Sequence, residues 1–438
     1  IRSNRGTFMN TQKNCIHGMV ITVLLYLVFL VSFFMPLVRD INNVYLSTSG
    51  DGIKNYYTFA YHVKYDTSYS HFNCMNYPYG DHVVFTDNQP VVANLVRFLS
   101  KDVYDVSDYT TGIINGLLLF YLLLSSVFLY LLLIRFGAGP YFSPFVAVGI
   151  TFLSPQVRSF AEHYPLACTC AIPMGWYAIM RFFENRTVVK SLAIFAIVLF
   201  LSLMHLYFFP ILVSFIILLW LFQGWSVWRN KKAWLNICHL LIQVLLPVGC
   251  IQLWFVLTDS VADRPQSPYG FLAYAASWET VFLPIGMPLE GFLRKFVSFK
   301  EMEQNARLLY LGAFSILMAF PLVIARMKCL VKGRMQEVWK VTDSMPLNRS
   351  FWAAWIMLLL ATGMPFIFGL EYWIDYLGPL KQFRALARLG WVFYYVYNVV
   401  VFCFVYTKVK NLPNIVRIGG LTAAVLFLYA EVYQYHTY

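Results

Sequence analysis

Long apolar segments separated by short polar turns are the feature that most limits how this chain can fold. A bilayer crossing needs about 20 predominantly apolar residues, and about eleven segments approach or reach that length. Only 12% of the residues are charged, against about 25% in soluble domains, which excludes a soluble globular fold. We therefore predict an all-α polytopic membrane protein with about eleven spans: 18–38, 111–134, 139–154, 166–183, 189–206, 208–224, 234–257, 308–326, 351–369, 390–407 and 415–433.

The distribution of basic residues predicts how these spans are oriented. More than half of the 33 Lys and Arg residues fall at the N-terminus and in the alternate, mostly short loops on its side. Lys and Arg collect on the cytoplasmic side of membrane proteins, so we expect the N-terminus in the cytoplasm and the C-terminus in the periplasm of a bacterial inner membrane. This bias accounts for the net charge of +12, and no nucleic-acid partner is needed to explain it.

The predicted topology divides the chain into one transmembrane domain with large outer loops. A cytoplasmic N-terminus (1–17) precedes the transmembrane domain (18–433), and residues 434–438 form a periplasmic end that a soluble domain would extend. The long loops all face the periplasm, and solvent-facing loops are the usual carriers of function. These loops are 39–110, 258–307 and 370–389.

The first outer loop carries two amphipathic helices, each preceded by an acid. Apolar residues recur every three to four positions after Asp51 and again after Asp87. Either carboxylate could cap its helix, and we predict an N-cap at both. Asp51 also lies between Gly50 and Gly52, which let a ligand approach the backbone closely. Both a cap and a catalytic base therefore remain open for Asp51.

A shorter outer loop, "SPQVRSFAEHYPLA", places Arg158, Glu162 and His163 next to the span that begins at Leu166. The acid–histidine pair could bind a metal, contact an acceptor or cap the following helix. In the large outer loop, Asp263 and Arg264 are predicted to form a local ion pair. Aromatic residues of the outer loops predict a groove: Tyr56, Tyr57, Tyr77 and Tyr269.

Arg384 and Arg388 lie where the chain re-enters the membrane. They are four residues apart, so we expect them on one helix face at the positive N-terminal end of the span 390–407. Two guanidinium groups beside a helix N-terminus favour a phosphate. The alternative is that both side chains reach lipid headgroups.

These features together resemble the GT-C glycosyltransferases. The stretches "SGDGIKNYYTFAYHVKYD", "MNYPYGDHVVFTDNQP", "DRPQSPYGFLAY" and "FRALARLGWVFYY" are similar to a set of bacterial GT-C-like membrane proteins typical of Bacteroidota. The likeness covers nearly the whole chain. It departs from many members in one respect, because Gly52 follows Asp51 where they carry a second acid.

The resemblance implies transfer of a sugar from a polyprenyl-phosphate-linked donor to an acceptor hydroxyl on the periplasmic face, with inversion. It matches Asp51 to the catalytic acid of the first loop, and Glu162 or His163 to a second polar group. It matches Arg384 and Arg388 to the arginines that meet the lipid phosphate. Apart from the resemblance, we predict Arg158 as a further phosphate-binding residue, and Asp87, Glu162 and His163 as candidate acid, metal or acceptor-binding residues. A divalent metal, Mg²⁺ or Mn²⁺, remains open, and no other cofactor is expected.

Two other functions remain open. One is a non-catalytic GT-C-like scaffold that docks other membrane-protein subunits of an envelope assembly. The other is a transporter of lipid-linked glycans, which would need polar groups deep in several spans, and His239 and Gln243 are the candidates. In each case the expected partners are membrane lipid and, for the transferase, the lipid-linked sugar donor.

Overall fold

The computed structural model shows an almost entirely helical chain. It describes residues 2–224, 226–229, 233–261, 264–265, 269–296 and 308–437. Two short strands, β1 (His71–Phe72) and β2 (Asp81–His82), pair antiparallel in the first outer loop. The α-helices described are α1 (Arg2–Arg39), α2 (Gly50–Lys64), α3 (Pro90–Asp102), α4 (Thr110–Arg135), α5 (Ser143–Phe152), α6 (Ala171–Glu184), α7 (Val188–Met204), α8 (Phe208–Leu221), α9 (Ser226–Arg229), α10 (Ala233–Leu240), α11 (Leu246–Thr258), α12 (Trp278–Phe282), α13 (Pro288–Leu293), α14 (Ala313–Val331), α15 (Met335–Val338), α16 (Met345–Ala361), α17 (Trp391–Val409) and α18 (Asn414–Thr437).

Six stretches of the described chain are long and apolar enough to cross a membrane, so the protein is a multi-pass membrane protein. A one-turn π-helix joins α10 to α11 within the third of these stretches. The predicted count of eleven spans is not confirmed. Helix α5 has 10 residues and α8 has 14, which gives lengths of about 15 and 21 Å against a hydrocarbon core of about 30 Å. The six stretches are Lys13–Arg39, Ser107–Arg135, Ala233–Thr258, Ala313–Val331, Leu386–Val409 and Asn414–Thr437.

Helix α17 is the centre of the bundle. Its most apolar window is 83% buried inside the protein, and it packs against α4, α5, α6, α14, α16 and α18. Its polar side chains bond to neighbouring elements: Tyr394 Oη donates to Ile150 O at 2.8 Å, and Tyr395 Oη donates to Gln156 Oε1 at 2.9 Å. Buried hydroxyls need such partners where no water is present. Helix α17 is therefore held in place, and so is the end of the segment that joins it.

The apolar face of α2 packs against protein rather than lipid. Helices α3 and α4 cover it. The predicted N-caps are wrong at both acids. Ser49 occupies the N-cap of α2, and Gln89 occupies that of α3. Both carboxylates are therefore available for other contacts.

Arg264 ties the first outer loop to the end of α11. Its guanidinium donates to Asp259 Oδ2 at 2.9 Å and to Asp81 Oδ1 at 2.8 Å, and it lies over the Phe85 ring at 3.9 Å. The ion pair predicted for Arg264 with Asp263 cannot be compared, because Asp263 lies outside the described residues. The observed contacts join two segments distant in sequence.

Glu431 joins the last helix to the start of α14. Its carboxylate accepts hydrogen bonds from Ala313 N at 2.6 Å, Phe314 N at 3.2 Å and Tyr310 Oη at 2.8 Å. The first N–H groups of a helix have no acceptor within the helix. Glu431 of α18 is the acceptor for those of α14.

We expect Glu431→Ala to lower the free energy of unfolding by about 1–3 kcal/mol, since it leaves partly buried helix donors without an acceptor. The measurement is denaturant or thermal unfolding of the purified protein in detergent. The control is Glu337→Gln, whose side chain is 47% exposed and which should stay within about 0.5 kcal/mol of the wild type. Equal loss in both variants would refute the capping role of Glu431.

Candidate functional site

Asp51 begins a chain of charged contacts at the end of the bundle that carries the first predicted outer loop. It lies in the first turn of α2, where the positive helix terminus favours a carboxylate. Its Oδ1 is 3.0 Å from Nζ of Lys54, one turn further along the same helix. The Asp51 side chain is 48% exposed, so the carboxylate remains accessible to a ligand.

Lys54 connects Asp51 to the second acid of the first outer loop. Its Nζ also donates to Asp87 Oδ2 at 2.8 Å. Asp87 follows a short 3₁₀ turn, Val83–Thr86, and has a left-handed backbone with φ of 58°. Gln89 is left-handed as well, with φ of 56°. Non-glycine residues with positive φ are uncommon, and they cluster at functional sites.

His205 faces the other oxygen of Asp87 from the break between α7 and α8. Its Nδ1 accepts the backbone N–H of Tyr207 at 3.2 Å, so the proton of the neutral ring lies on Nε2. That Nε2 is 3.4 Å from Asp87 Oδ1. Both carboxylate oxygens of Asp87 are therefore engaged, one by Lys54 and one by His205.

His163 approaches Asp51 from the loop between α5 and α6. Its Nε2 is 3.8 Å from Asp51 Oδ2. The loop is attached to α2 through Asn55, whose Nδ2 donates to the backbone oxygen of Glu162 at 2.8 Å. The predicted pair thus reaches the site, with His163 facing the carboxylate and Glu162 contributing a backbone acceptor.

Arg388 enters the same group of charges from the other end of the chain. The buried guanidinium lies over the Tyr207 ring at 4.4 Å. The His205 ring is stacked on the same tyrosine, with the ring centroids 4.8 Å apart. Arg388 interacts electrostatically with Asp87, His163 and His205. We call Asp51, Lys54, Asp87, His163, His205 and Arg388 the outer charge cluster.

The prediction that Arg384 and Arg388 share one helix face is wrong. Helix α17 begins only at Trp391, and a short 3₁₀ turn, Leu386–Gly390, precedes it. The backbone N–H of Ala387 donates to Tyr274 O at 3.1 Å, so a tertiary hydrogen bond replaces a helical one. Arg384 is exposed, and its Nε donates to the backbone oxygen of Tyr269 at 2.9 Å.

The remaining predicted site residues have other contacts. Arg158 donates to Ile285 O at 2.8 Å and lies over the Tyr435 ring at 5.1 Å. Tyr56 is buried and its hydroxyl donates to Asn115, so it supports α2 from within. Tyr57, Tyr77 and Tyr269 are exposed and present their rings at the outer surface.

Two residues of the outer charge cluster escaped the sequence analysis. Lys54 was hidden inside an amphipathic helix, although its position one turn after Asp51 is a signal for an ion pair. His205 lies in "HLYFFP", which reads as a tight hairpin between two apolar helices. A histidine at such a break is the signal that could have identified it.

The environment sets the protonation of the cluster. Burial alone would raise the pKa of the Asp87 carboxyl, but the hydrogen bond from His205 and the ammonium of Lys54 outweigh it and hold that pKa below its usual value. Burial opposes the charge of Lys54, yet Asp87 and Asp51 raise its pKa overall. Burial lowers the pKa of both His163 and His205. At neutral pH Asp87 and Lys54 are charged and the two histidines are neutral.

The donor types of the cluster would suit a divalent metal, but their arrangement does not. In the part of the chain that the structure describes, no three His, Cys, Asp or Glu side chains are grouped closely enough to hold a metal ion. The space between the carboxylates of Asp51 and Asp87 is taken by the ammonium of Lys54. An anionic ligand would instead contact the positive charges of Lys54 and Arg388.

The histidines predict how stability depends on pH. A histidine whose pKa is lower in the folded protein than in the unfolded protein favours the folded state while it is neutral. This stability is fully present above the pKa of the unfolded protein, about 6.5, and it is lost as the pH falls towards the lower pKa of the folded protein. We therefore expect the unfolding midpoint of the detergent-purified protein to drop between pH 7.5 and 5. His205→Gln keeps a side-chain N–H but cannot titrate, so its midpoint should drop less steeply. An unchanged slope would contradict a buried neutral His205.

Comparison with known proteins places the chain in a family. No curated protein and no solved structure matches it. A family described as Domain of unknown function (DUF6311) matches residues 23–430, which is most of the chain. The match includes every residue of the outer charge cluster. The protein therefore belongs to the DUF6311 family.

Proposed function

We propose that the protein is a membrane glycosyltransferase that moves a sugar from a polyprenyl-phosphate-linked donor to an acceptor hydroxyl, with inversion. One observation supports this above the others. Asp51, at the start of the first outer loop, and Arg388, near the end of the chain, belong to one cluster of charges. A transferase of this kind needs a base and a phosphate-binding cation within reach of one sugar.

The reaction needs one bond to form as another breaks. The acceptor oxygen attacks the anomeric carbon, and the bond from that carbon to the phosphate oxygen breaks with its electron pair. The acceptor proton passes to the carboxylate of Asp51 and leaves to water. A positioned base typically contributes about 10²–10⁴-fold in rate. Single displacement inverts the anomeric carbon.

Asp51 suits the role of base better than Asp87. Only one Asp51 oxygen is held closely, at 3.0 Å from Lys54, while the other is 3.8 Å from His163. Asp87 is held at both oxygens and its pKa is lowered, so it accepts a proton poorly. Asp87 is then a positioning residue that holds Lys54 and His205.

The leaving phosphate keeps its negative charge and needs cations rather than a proton. Arg388 is buried, which strengthens its interaction with a phosphate relative to one in water. Its guanidinium is held against Tyr207, so little reorganisation is required when the charge develops. Arg384 lies further out and could contact the second part of a longer headgroup.

The proposed activity belongs on the periplasmic face of a bacterial inner membrane. The Lys and Arg bias supports that orientation. The transporter alternative has less support, because the polar residues within the bundle bond to one another. His239 Nδ1 is 2.9 Å from Ser191 Oγ, and Gln243 contacts Ser191 at 3.0 Å and Trp220 at 2.9 Å.

We expect Asp51→Asn to lower turnover by about 10²–10⁴-fold with little change in stability, since Asp51 is not the helix cap. The assay follows release of polyprenyl phosphate from a panel of polyprenyl-phosphate hexoses, with membrane extract as the source of acceptors. Asp108→Asn is the matched control, because Asp108 pairs with Lys64 at 3.0 Å in the same loop and is 84% exposed. Full turnover by folded Asp51→Asn would remove the base assignment.

We expect Arg388→Ala to lower kcat/KM by about 10²–10³-fold, the usual effect of removing a charge-stabilising donor. Arg384→Ala should cost tenfold or less, because that side chain is exposed and bonded to a backbone oxygen. Steady-state kinetics with the same donors measures both. A larger loss in Arg384→Ala than in Arg388→Ala would reverse the proposed roles.

A further inference from the structure

The ammonium of Lys54 lies between two carboxylates that come from different parts of the first outer loop. Nζ is 3.0 Å from Asp51 Oδ1 and 2.8 Å from Asp87 Oδ2. These are charge-assisted hydrogen bonds of ordinary length. Asp51 is on α2 and Asp87 is between a 3₁₀ turn and α3, so Lys54 joins two separate elements through one positive charge.

A divalent cation would need the position that Lys54 occupies. Mg²⁺ and Mn²⁺ are bound by oxygen ligands, carboxylates foremost, and the facing oxygens of Asp51 and Asp87 are the ones that contact Nζ. A bound metal ion would have to push the ammonium aside. Because Lys54 is part of α2, the ammonium would stay close to the ion. The two positive charges would repel each other in a half-buried site.

The charges of the cluster balance without a metal ion. Asp51 and Asp87 carry one negative charge each, while Lys54 and Arg388 carry one positive charge each. The two carboxylates and the two cations therefore cancel in formal charge. A divalent cation would leave this cluster with an excess of two positive charges. A metal is therefore not required to hold the carboxylates together.

We propose that Lys54 is a built-in counter-ion that takes the place of a divalent metal ion in the outer charge cluster. The site then binds no divalent metal while Lys54 is present. Removing Lys54 should raise the affinity for Mn²⁺, since it frees the two facing carboxylate oxygens of Asp51 and Asp87, a ligand type that Mn²⁺ accepts. The proposal deepens the proposed transferase by stating its metal requirement, but the metal-binding test does not rest on turnover.

The test is Mn²⁺ binding to the purified full chain in detergent, measured by electron paramagnetic resonance of free Mn²⁺ at pH 7.5. We expect the wild type to bind no more Mn²⁺ than Asp51→Asn. Lys54→Ala should bind one equivalent at least tenfold more tightly than the wild type, and Lys54→Ala combined with Asp87→Asn should lose it. Lys64→Ala is the matched control on the same helix, because Lys64 pairs only with exposed Asp108 among the carboxylates described.

Two results would overturn the proposal. One is a single Mn²⁺ bound to the wild type and lost in Asp51→Asn. The other is a folded Lys54→Ala that gains no Mn²⁺ affinity. If Lys54→Ala does not fold, Lys54→Met keeps the length of the side chain without its charge and takes its place, and the wild-type comparison stands by itself.

The transfer assay adds an independent readout. If transfer is detected, we expect EDTA to leave the wild-type rate unchanged, and loss of turnover in EDTA that Mn²⁺ restores would contradict the proposal. If no transfer is found while Mn²⁺ binding behaves as described, the proposed function fails and the counter-ion assignment of Lys54 remains. The two proposals can therefore fail separately.

Discussion

The architecture depends on one requirement of a membrane protein, that polar groups removed from water find partners inside the protein. Helix α17 meets it most fully, with its tyrosine hydroxyls bonded to α5 and the following loop. The same requirement explains why Glu431 of α18 caps α14. Because these bonds fix α17 among its neighbours, the turn that precedes it holds Arg388 in a defined place.

The loops that join the helices extend this order beyond α17. Arg264 links the first outer loop to the end of α11, and Asn55 attaches the loop between α5 and α6 to α2. Five segments then contribute to one cluster of charges: α2, the turn before α3, the loop between α5 and α6, the break between α7 and α8, and the turn before α17. A site built from several loops on a rigid bundle is a common arrangement in enzymes. In this chain the charges pair with one another across segments, so the cluster itself helps to hold the loops.

The sequence predicted the helical membrane class and the first outer loop with its two helices, and it singled out Asp51, Asp87, His163 and Arg388, which the structure brings into one cluster. It could do so because acids beside glycines and arginines at a membrane edge are visible in local patterns. Lys54 and His205 were missed because their roles depend on Asp87, which lies far from both in the chain. The predicted N-caps were wrong for a related reason. The local pattern predicts a cap wherever an acid precedes a helix. It does not show the contacts with other segments that the carboxylates make instead. The predicted number of spans is not confirmed, because apolar composition does not distinguish a crossing helix from a short one packed inside the bundle.

The left-handed backbone at Asp87 narrows which amino acids that position can accept. Glycine and asparagine tolerate such a conformation most easily, but neither brings a negative charge to Lys54 and His205. Glutamate brings the charge on a longer side chain, which lacks the local hydrogen bonding that lets short polar residues adopt this backbone. Aspartate alone combines a short side chain with a carboxylate. Backbone geometry and electrostatics thus select the same residue for independent reasons. Asp87→Asn tests the charge with the backbone conformation preserved. Asp87→Ala would disturb the charge and the backbone conformation at once.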